Sequence, residues 1–300
     1  MTIAIGTGLP SGSAPGTPSV PDAARLIEEF GFESLWVPDL VIGDGTPALD
    51  AALTLASAAA VTERVRIGFG VLVVPLRPAP WLAVLVATLQ HLSGDRLLLG
   101  VGSGGFPGAP FWQALGVPGR ERGRITDATL GLLPRLLSGE PVRLPDGGPP
   151  LTLAPAAPMP PVLVGGSEHA FRRVLEFGDG WFPSLLAPAD LGPAVARLRE
   201  RAAEQGVASP TVTVGGHLIM GDDAGARAAH DALVRNLVEV HRMTPEVAAR
   251  TAMVARTPAE LAEIFLAYGD AGADRVVTGA DNGSWRDQLE FIAEARELAR

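Results

Sequence analysis

The chain contains no cysteine and no lysine in its 300 residues. Without cysteine it can form no disulfide, bind no metal through thiolates and use no cysteine nucleophile. Because all 24 basic residues are arginine, a Schiff-base lysine and the lysine of a phosphate-binding P-loop are also excluded. The composition thus removes several common enzyme classes before any motif is considered.

Positive charge and long apolar runs are also scarce. The net charge of -9 disfavours a nucleic-acid partner held by general electrostatic attraction. The longest apolar runs extend for about a dozen residues, whereas a bilayer-spanning helix needs about 20. The first residues, MTIAIGTGLP, lack the basic start of a signal peptide. We therefore expect a cytoplasmic protein without a nucleic-acid or membrane partner.

Metal ligands do not cluster along the sequence. The histidines show no recurring ligand spacing and lie at His91, His169, His217, His230 and His241. We therefore expect no metal site. His91 and His217 are interpreted as structural residues.

Strand-like and helix-like segments alternate along the whole chain. Segments rich in Val, Ile and Leu predict strands buried on both faces at Ile3–Gly8, Ser34–Pro38, Val65–Val73, Leu97–Gly102, Val162–Gly165, Gly180–Pro183, Thr211–Ile219 and Arg275–Gly279. Eight such strands with helical patterns between them are typical of an α/β fold, the (β/α)8 TIM barrel. A doubly wound parallel sheet is the alternative. Because no linker or repeat is found, we expect a single domain over residues 1–300.

Three connections are longer than this pattern requires. Phe106–Gly123 and Leu144–Pro160 are rich in proline and glycine and flank the fourth helix, and Thr244–Thr257 extends the region before the last strand. Insertions in a barrel usually surround the substrate at the carboxyl ends of the strands. We therefore expect loop insertions at the carboxyl-end mouth of the barrel.

Glycines cluster at the end of the fourth predicted strand. Gly100, Gly102 and Gly105 satisfy the G-x-G-x-x-G pattern of dinucleotide-binding folds. In that motif a helix begins among the glycines, whereas Pro107 and Pro110 follow here, so we do not predict a Rossmann site. We interpret the segment as a strand end where a flat ring or a phosphate can approach the backbone.

A second glycine pair precedes a predicted helix. The order strand, Gly165–Ser167, helix would direct backbone N–H groups toward an anion such as phosphate. Ser167 adds a hydroxyl group, and Arg172 or Arg173 could add positive charge. The alternative is a tight strand-to-helix turn with surface arginines, and the sequence leaves both interpretations open.

Taken in order, these segments resemble the luciferase-like monooxygenase superfamily of flavin- and deazaflavin-dependent (β/α)8 enzymes. The resemblance covers most of the chain and is carried by GFESLWVPD (31–39), TERVRIGFGVLVVPLRPAP (62–80), LSGDRLLLGVGSG (92–104), ALGVPGRERGR (114–124), PPVLVGGSEHAFRRVLEFGDGWFP (160–183) and TPAELAEIFLAYGDAGADRVV (257–277). Each segment alone would be a weak signal, but their common order makes the set specific.

The resemblance implies that coenzyme F420, or alternatively FMN, lies across the carboxyl end of the barrel. By position in the sequence, Gly70 and Val71 would back the ring, joined by a non-proline cis peptide as in several relatives. The remaining cofactor-binding residues implied by position are those that line the cofactor side chain, Gly102, Ser103 and Gly104, and those that hold its phosphate, Gly165, Gly166 and Ser167.

Two positions depart from the family pattern. Relatives commonly have Asp-His at the end of the second strand, where this chain has Asp39 and Leu40, and a leucine cannot donate a proton. F420-dependent relatives often carry a glutamate just after the fourth-strand glycines, where this chain has Gly105 or Phe106. The candidate replacements are Asp39, His169, Glu168 and Asp44, of which we assign the catalytic role to Asp39 and His169. Water or the substrate is the alternative source of protons.

The leading hypothesis is an F420-dependent oxidoreductase that transfers a hydride between the deazaflavin and an electron-poor carbon of a small molecule, such as an enone, imine or carbonyl. The first alternative is an FMN-dependent two-component monooxygenase that uses O2 and reduced flavin. The second is a catalytically degenerate flavin-binding protein. The expected partners are a small-molecule substrate, a flavin or F420 reductase that supplies electrons, and a second copy of the chain in a homodimer.

Overall fold

The strands of the protein pair in nearly the order in which they follow one another along the chain. The computed structural model describes residues 3–10, 17–39, 48–105, 110–145 and 147–300. Its strands are β1 (Ala4–Gly8), β2 (Ser34–Val37), β3 (Arg66–Phe69), β4 (Leu72–Val73), β5 (Leu97–Gly102), β6 (Val162–Gly165), β7 (Gly180–Phe182), β8 (Thr211–Met220), β9 (Met253–Ala255) and β10 (Arg275–Ala280).

Parallel pairing closes the sheet into a barrel. Strand β1 pairs with β2 on one side and with β10 on the other, and β10 pairs in turn with β8. The circuit through the described strands is β1, β2, β3, β5, β6, β7, β8 and β10, so the barrel has eight strands. A doubly wound sheet would leave two open edges, and the predicted TIM barrel is confirmed.

Helices cover the outside of this barrel. They are α1 (Val20–Glu29), α2 (Ala51–Ala59), α3 (Ala79–Ser93), α4 (Pro110–Ala114), α5 (Arg122–Leu137), α6 (Phe171–Phe177), α7 (Pro188–Glu204), α8 (Ala224–Glu239), α9 (Pro245–Thr251), α10 (Pro258–Asp270) and α11 (Trp285–Leu298). Side-chain caps define several starts; Ser284, for example, accepts a hydrogen bond from the backbone N–H of Asp287. Within the described ranges, no helix is both long and apolar enough to cross a bilayer.

Three segments differ from the sequence-based expectation. The predicted strand Val65–Val73 is divided into β3 and β4, because the chain changes direction at Gly70 and Val71 and β4 pairs farther along β5. Strand β9 was not predicted and extends the sheet beside the end of β8. The expectation for Leu144–Pro160 was wrong. This segment joins α5 to β6, and such helix-to-strand connections lie at the amino end of a barrel, opposite the mouth.

Large side chains fill the middle of the barrel. Trp36 from β2 and Phe182 from β7 meet edge to face with their ring centroids 5.1 Å apart, and Leu98 and Leu163 complete the cluster. Trp36 fits because β3 carries Gly68, where an added Cβ would lie only 2.4 Å from the indole. Trp36 and Phe182 also line a cavity toward the carboxyl ends of the strands, so this layer forms its floor.

Candidate cofactor and substrate site

A cavity of about 560 Å³ lies above this layer, at the carboxyl ends of the strands. Its volume falls within the range of about 300–1,000 Å³ that is usual for small-molecule sites. Much of its wall is main chain, contributed by the strand-end glycines Gly8, Gly70, Gly165, Gly216 and Gly279. Apolar side chains provide most of the remainder, including Leu9, Pro38, Phe182, Val277, Trp285 and Leu289.

The glycines make this wall suitable for a flat ring. A Cβ added at Gly279 would meet no atom within 4 Å, so it would occupy space that the cavity now provides. A planar heteroaromatic ring can approach a backbone surface closely only where side chains are absent. The residues present therefore fit a flavin or deazaflavin ring, as the resemblance implied.

The end of β3 supplies a specific feature of this wall. The Gly70–Val71 peptide is cis, as predicted, and both residues line the cavity. The side chain of Val71 rests against glycines of two neighbouring strands. A Cβ at Gly102 would lie 2.8 Å from Val71 Cγ2, and one at Gly165 would lie 3.1 Å from Val71 Cγ1. The side chain of Val71 therefore fits here because both positions are glycine.

The Gly100–Gly105 segment packs closely against its neighbours, and the cofactor role implied for Gly102, Ser103 and Gly104 stays a prediction. An added Cβ at Gly100 would lie 1.9 Å from the carbonyl oxygen of Phe69, so this glycine permits close contact between β5 and β3. Gly104 has a φ of +75° and faces the buried Trp112, whose Cζ2 would lie 2.7 Å from an added Cβ. Among the described residues that line the cavity, Gly102, Ser103 and Gly104 are absent.

The turn after β6 is divided between the cavity and the outer surface. Gly165 and Gly166 line the cavity, whereas Ser167 is exposed just outside it. The turn is held by Trp181, a fully buried residue whose Nε1 donates to the carbonyl oxygen of Gly166 at 2.8 Å. The phosphate role of these residues stays a prediction.

The arginines that follow this turn already have an anionic partner. Arg173 Nε donates to Asp127 Oδ1 at 2.6 Å, and Arg172 is paired with Asp127 and Glu176. Both arginines are thus held in ion pairs within the protein, and their role toward a phosphate stays a prediction. Their guanidinium groups are engaged with helix α5 and with their own helix α6.

Asp39 is buried and fully engaged. Its side chain is 6% exposed, its Oδ2 and Oδ1 accept from the two terminal nitrogens of Arg77 at 2.6 and 2.9 Å, and its Oδ2 also accepts from the backbone N–H of Val73 at 2.9 Å. The Asp39 carboxylate raises the pKa of Arg77 through this hydrogen bond. Asp39 does not belong to the described lining of the cavity, and its contacts fix the chain at β4.

The other proposed acids lie away from the cavity or beyond the described residues. His169 is exposed on the turn before α6, and its neighbour Glu168 is paired with Arg197, whose hydrogen bonds hold the pKa of Glu168 below its usual value. Leu40, Asp44 and Phe106 fall outside the described residues. Gly105 is exposed, and a Cβ added there would meet nothing within 4 Å.

The structure instead brings His217 and Asp281 together at the cavity. His217 Nδ1 lies 3.0 Å from Asp281 Oδ1, and both residues line the cavity wall. The hydrogen bond to Asp281 raises the pKa of His217, although partial burial opposes the imidazolium charge. From the sequence we interpreted His217 as structural. The signal in the sequence was a histidine in the second half of one predicted strand and an aspartate just beyond another, and the structure pairs these two strands as β8 and β10. Within the described ranges, no three His, Cys, Asp or Glu residues are grouped as a metal site.

Comparison with known proteins identifies the family. The model for luciferase-like monooxygenases matches residues 2–298. The chain belongs to the luciferase-like monooxygenase family. The resemblance carried by the six sequence segments is therefore confirmed.

Two curated relatives of this luciferase-like protein differ in what is known of them. An uncharacterized protein of Mycobacterium tuberculosis is 29% identical over 210 residues, which are 62% of this chain and 72% of the relative. The 4-hydroxyprotoasukamycin monooxygenase of Streptomyces nodosus subsp. asukaensis is 35% identical over 122 residues, which are 40% of this chain and 32% of that enzyme.

Similar solved structures include both dehydrogenases and monooxygenases. An F420-dependent secondary alcohol dehydrogenase in complex with an F420–acetone adduct superposes with a TM-score of 0.80 at 18% identity, covering 100% of both chains. Monooxygenase RslO1 from Streptomyces bottropensis superposes with a TM-score of 0.76 at 20% identity, covering 98% of each. At such identities the likeness establishes the shared fold.

Proposed function

We propose that this protein is an F420-dependent oxidoreductase that transfers a hydride between the deazaflavin and an electron-poor carbon of an enone, imine or carbonyl compound. The observation that carries the proposal is the cavity itself. Its backbone wall accepts a planar ring, its other walls are largely apolar, and an imidazole–carboxylate pair stands at one side. The dehydrogenase among the similar structures supports the choice of cofactor.

The residues that line the cavity would have distinct roles toward the cofactor and the substrate. When bound, the deazaflavin supplies a carbon centre that donates or accepts a hydride. Gly70 and Val71 would support one face of the ring, while the carbonyl and N–H groups near Gly165 and Gly166 would hold its polar substituents. Apolar side chains such as Leu9 and Trp285 would exclude water around the reacting carbon, which favours uncharged substrates.

A second candidate is an FMN-dependent two-component monooxygenase. The 35% identity with a monooxygenase over 122 residues favours it. Both candidates need a reductase that supplies a reduced cofactor, and both would use the same cavity. The identity of the cofactor separates them, because a deazaflavin does not support the oxygen chemistry of a flavin.

The first experiment is a fluorescence titration of the ligand-free protein with F420 and, separately, with FMN. Micromolar or tighter binding of F420 with much weaker binding of FMN is expected. The reverse order would favour the monooxygenase, and binding of neither cofactor would overturn both functions and leave no support for a flavin-binding role.

A matched pair of glycine variants localises the binding. Gly279→Leu would place a side chain in the cavity and should weaken binding at least tenfold. Gly105→Ala adds a Cβ that meets nothing and lies outside the cavity lining, so it should bind as the wild type does. Equal binding by both variants would show that the cofactor lies elsewhere.

We also propose that the chain forms a homodimer through one face of α2 and α3. Monomeric proteins rarely expose contiguous apolar patches of large size. Here Leu53 and Trp81 are 73% and 70% exposed, and Leu49, Val84 and Leu92 are exposed beside them. A second copy can cover this face by packing its own α2 and α3 against it.

Sedimentation of two surface variants tests the dimer. Trp81→Glu should shift the protein toward the monomer. Leu266→Glu, on the exposed face of α10, replaces an apolar residue of 47% exposure outside the patch and should leave the mass unchanged. A monomeric wild type at high protein concentration would overturn this part of the proposal.

A further inference from the structure

We propose that His217 is the general acid that protonates the carbonyl oxygen of the substrate, with Asp281 as its positioning residue. This inference rests on the proposed function and assigns the proton donor of that same site. A donor is needed because the carbonyl oxygen gains negative charge when its carbon accepts a hydride, and neither Asp39 nor His169 belongs to the described lining of the cavity.

The composition of the cavity wall points to this pair. Among the described residues that line the cavity, His217 and Asp281 are the only ones with ionisable side chains. The remaining polar side chains of the wall, Thr7, Ser184, Thr278 and Gln288, are neutral at all ordinary pH values. A proton that reaches a substrate from a side chain of this wall therefore has its best source in the imidazole of His217.

The barrel itself fixes the geometry of the pair. Strands β8 and β10 pair in register, with His217 opposite Gly279, and the backbone N–H of Asp281 donates to the carbonyl oxygen of Leu218 at 2.9 Å. Asn282 then binds both the N–H and the carbonyl group of Met220 through its side-chain amide. Two consecutive residues after β10 are thus tied to β8, which holds the carboxylate beside the imidazole.

The hydrogen bond sets the roles of the two ring nitrogens. An ionised carboxylate only accepts hydrogen bonds, so Nδ1 of His217 donates to Asp281 and Nε2 is the nitrogen that can serve a substrate. The side chain of His217 is 45% exposed, and the cavity borders it. Its geometry therefore combines an oriented ring with access to a ligand.

The charges around the ring favour the protonated form. Asp281 raises the pKa of His217 through its hydrogen bond. The pKa of His241, in the segment between α8 and α9, is lowered by burial and by the charge of His217. The pKa values of the two histidines are therefore shifted in opposite directions, upward for His217 and downward for His241.

The proposed step balances in atoms and electrons. The carbonyl carbon forms a C–H bond with a hydride that comes, with its electron pair, from a reduced deazaflavin. The π electron pair of the C=O bond moves to the oxygen, which takes the proton from Nε2 of His217. The products are an alcohol, an oxidised deazaflavin and a neutral imidazole. The proton carried on a ring nitrogen of the reduced deazaflavin is released to solvent, and the imidazole regains a proton from solvent, so no net proton is consumed.

Steady-state kinetics with reduced F420 and with acetone or cyclohexanone as the probe test the assignment. His217→Gln should lower kcat about 10²–10⁴-fold, as is usual when a general acid is lost, with a small change in KM. His91→Gln removes an exposed histidine in the last turn of α3 and should behave as the wild type does. An increase in KM at unchanged kcat would overturn the inference, because His217 would then only bind substrate.

A second readout needs no cofactor. Proton and carbon NMR of the ligand-free protein should give His217 a pKa above 6.5, and Asp281→Asn should move it downward. In the kinetics, the falling limb of the kcat/KM profile at high pH, which reports groups of the free enzyme, should also move to lower pH. A His217 pKa that is unchanged by Asp281→Asn would remove the positioning role of Asp281.

The outcomes separate this inference from the proposed function. Failure of the wild type to bind F420 overturns the proposed function, and the assignment of a proton donor falls with it. Binding of F420 without reduction of either ketone, or full activity of His217→Gln, overturns the inference alone. Loss of turnover in His217→Gln with retained F420 affinity and an unchanged melting temperature supports it.

Discussion

Two pairs of a carboxylate with a basic side chain lie toward the carboxyl ends of the barrel strands, and they differ in burial and in contact with the cavity. On the β2–β3 side, Asp39 is 6% exposed and accepts three hydrogen bonds from Arg77 and Val73. On the β8–β10 side, Asp281 is 32% exposed and is paired with His217, whose ring borders the cavity. In the first pair both carboxylate oxygens accept hydrogen bonds inside the protein, whereas the second pair borders the cavity.

This difference shows that two similar pairs of side chains can have different roles. A carboxylate whose oxygens all accept hydrogen bonds inside the protein holds the fold and has little capacity for proton exchange. A carboxylate that leaves its partner in contact with a cavity can tune that partner for a ligand. Strand position alone, which both aspartates share, therefore does not distinguish a structural pair from a reactive one.

The largest expected effect is the loss of stability when the pair of Asp39 and Arg77 is broken. Asp39→Ala leaves Arg77, whose side chain is 20% exposed, without its partner. Because breaking a fully buried pair typically costs about 3–5 kcal/mol and Arg77 keeps some contact with solvent, we expect a loss of about 3 kcal/mol in the free energy of unfolding. Urea denaturation measures it. Arg25→Ala, in an exposed pair with Asp22, is the control and should change the stability by at most about 1 kcal/mol. An Asp39→Ala loss as small as that of the control would contradict the structural role.

Matched glycine substitutions give the next largest effect. Gly102→Ala forces a Cβ against Val71 and should cost about 1–3 kcal/mol of stability, as overpacking usually does. Gly279→Ala, in β10 at the cavity, adds a Cβ that meets no atom within 4 Å. It should leave stability almost unchanged while it weakens ligand binding. The comparison fails if Gly279→Ala destabilises the fold as strongly as Gly102→Ala does.

A double variant identifies the contact behind the first of these effects. Val71→Ala removes the Cγ2 methyl group, which an added Cβ at Gly102 would meet at 2.8 Å. The double variant Gly102→Ala, Val71→Ala should therefore lose less stability than the sum of the two single variants. Strict additivity would show that another contact limits the space at Gly102.

The smallest expected effect is the contribution of the pair of His217 and Asp281 to the stability of the fold. Because the pKa of His217 is raised in the folded state, its pairing with Asp281 stabilises the fold fully below about pH 6.5 and loses this contribution as the pH rises through the raised value. Asp281→Asn should remove that pH dependence and change stability at neutral pH by only about 0.5 kcal/mol. Melting curves recorded at intervals of about one pH unit between about pH 5 and pH 9, the range in which histidine titrates, measure both quantities.

The barrel could be predicted from the sequence because each part has a local signal. Buried parallel strands are continuous apolar segments, as in Leu97–Gly102, and the helices between them carry helical periodicity. The division of the third strand at Gly70 and Val71 had no local pattern, and its peptide was anticipated through the family resemblance. The position of Leu144–Pro160 was misjudged because composition marks a loop without saying at which end of the barrel it lies.

The site was predicted only in part, because its contacts join residues far apart in the chain. Gly70, Val71, Gly165 and Gly166 could be placed at strand ends from the sequence, and they line the cavity. The pairing of His217 with Asp281 depends on barrel closure between β8 and β10, which local patterns do not record.

A crystal structure of the protein with the cofactor that binds more tightly, F420 or FMN, would show where the ring lies. We expect the ring in the cavity, against Gly70 and Val71, with the β8–β10 side and His217 facing the space left for substrate. A ring bound outside this cavity, or one that separates His217 from the substrate space, would rule out the proposed cofactor site.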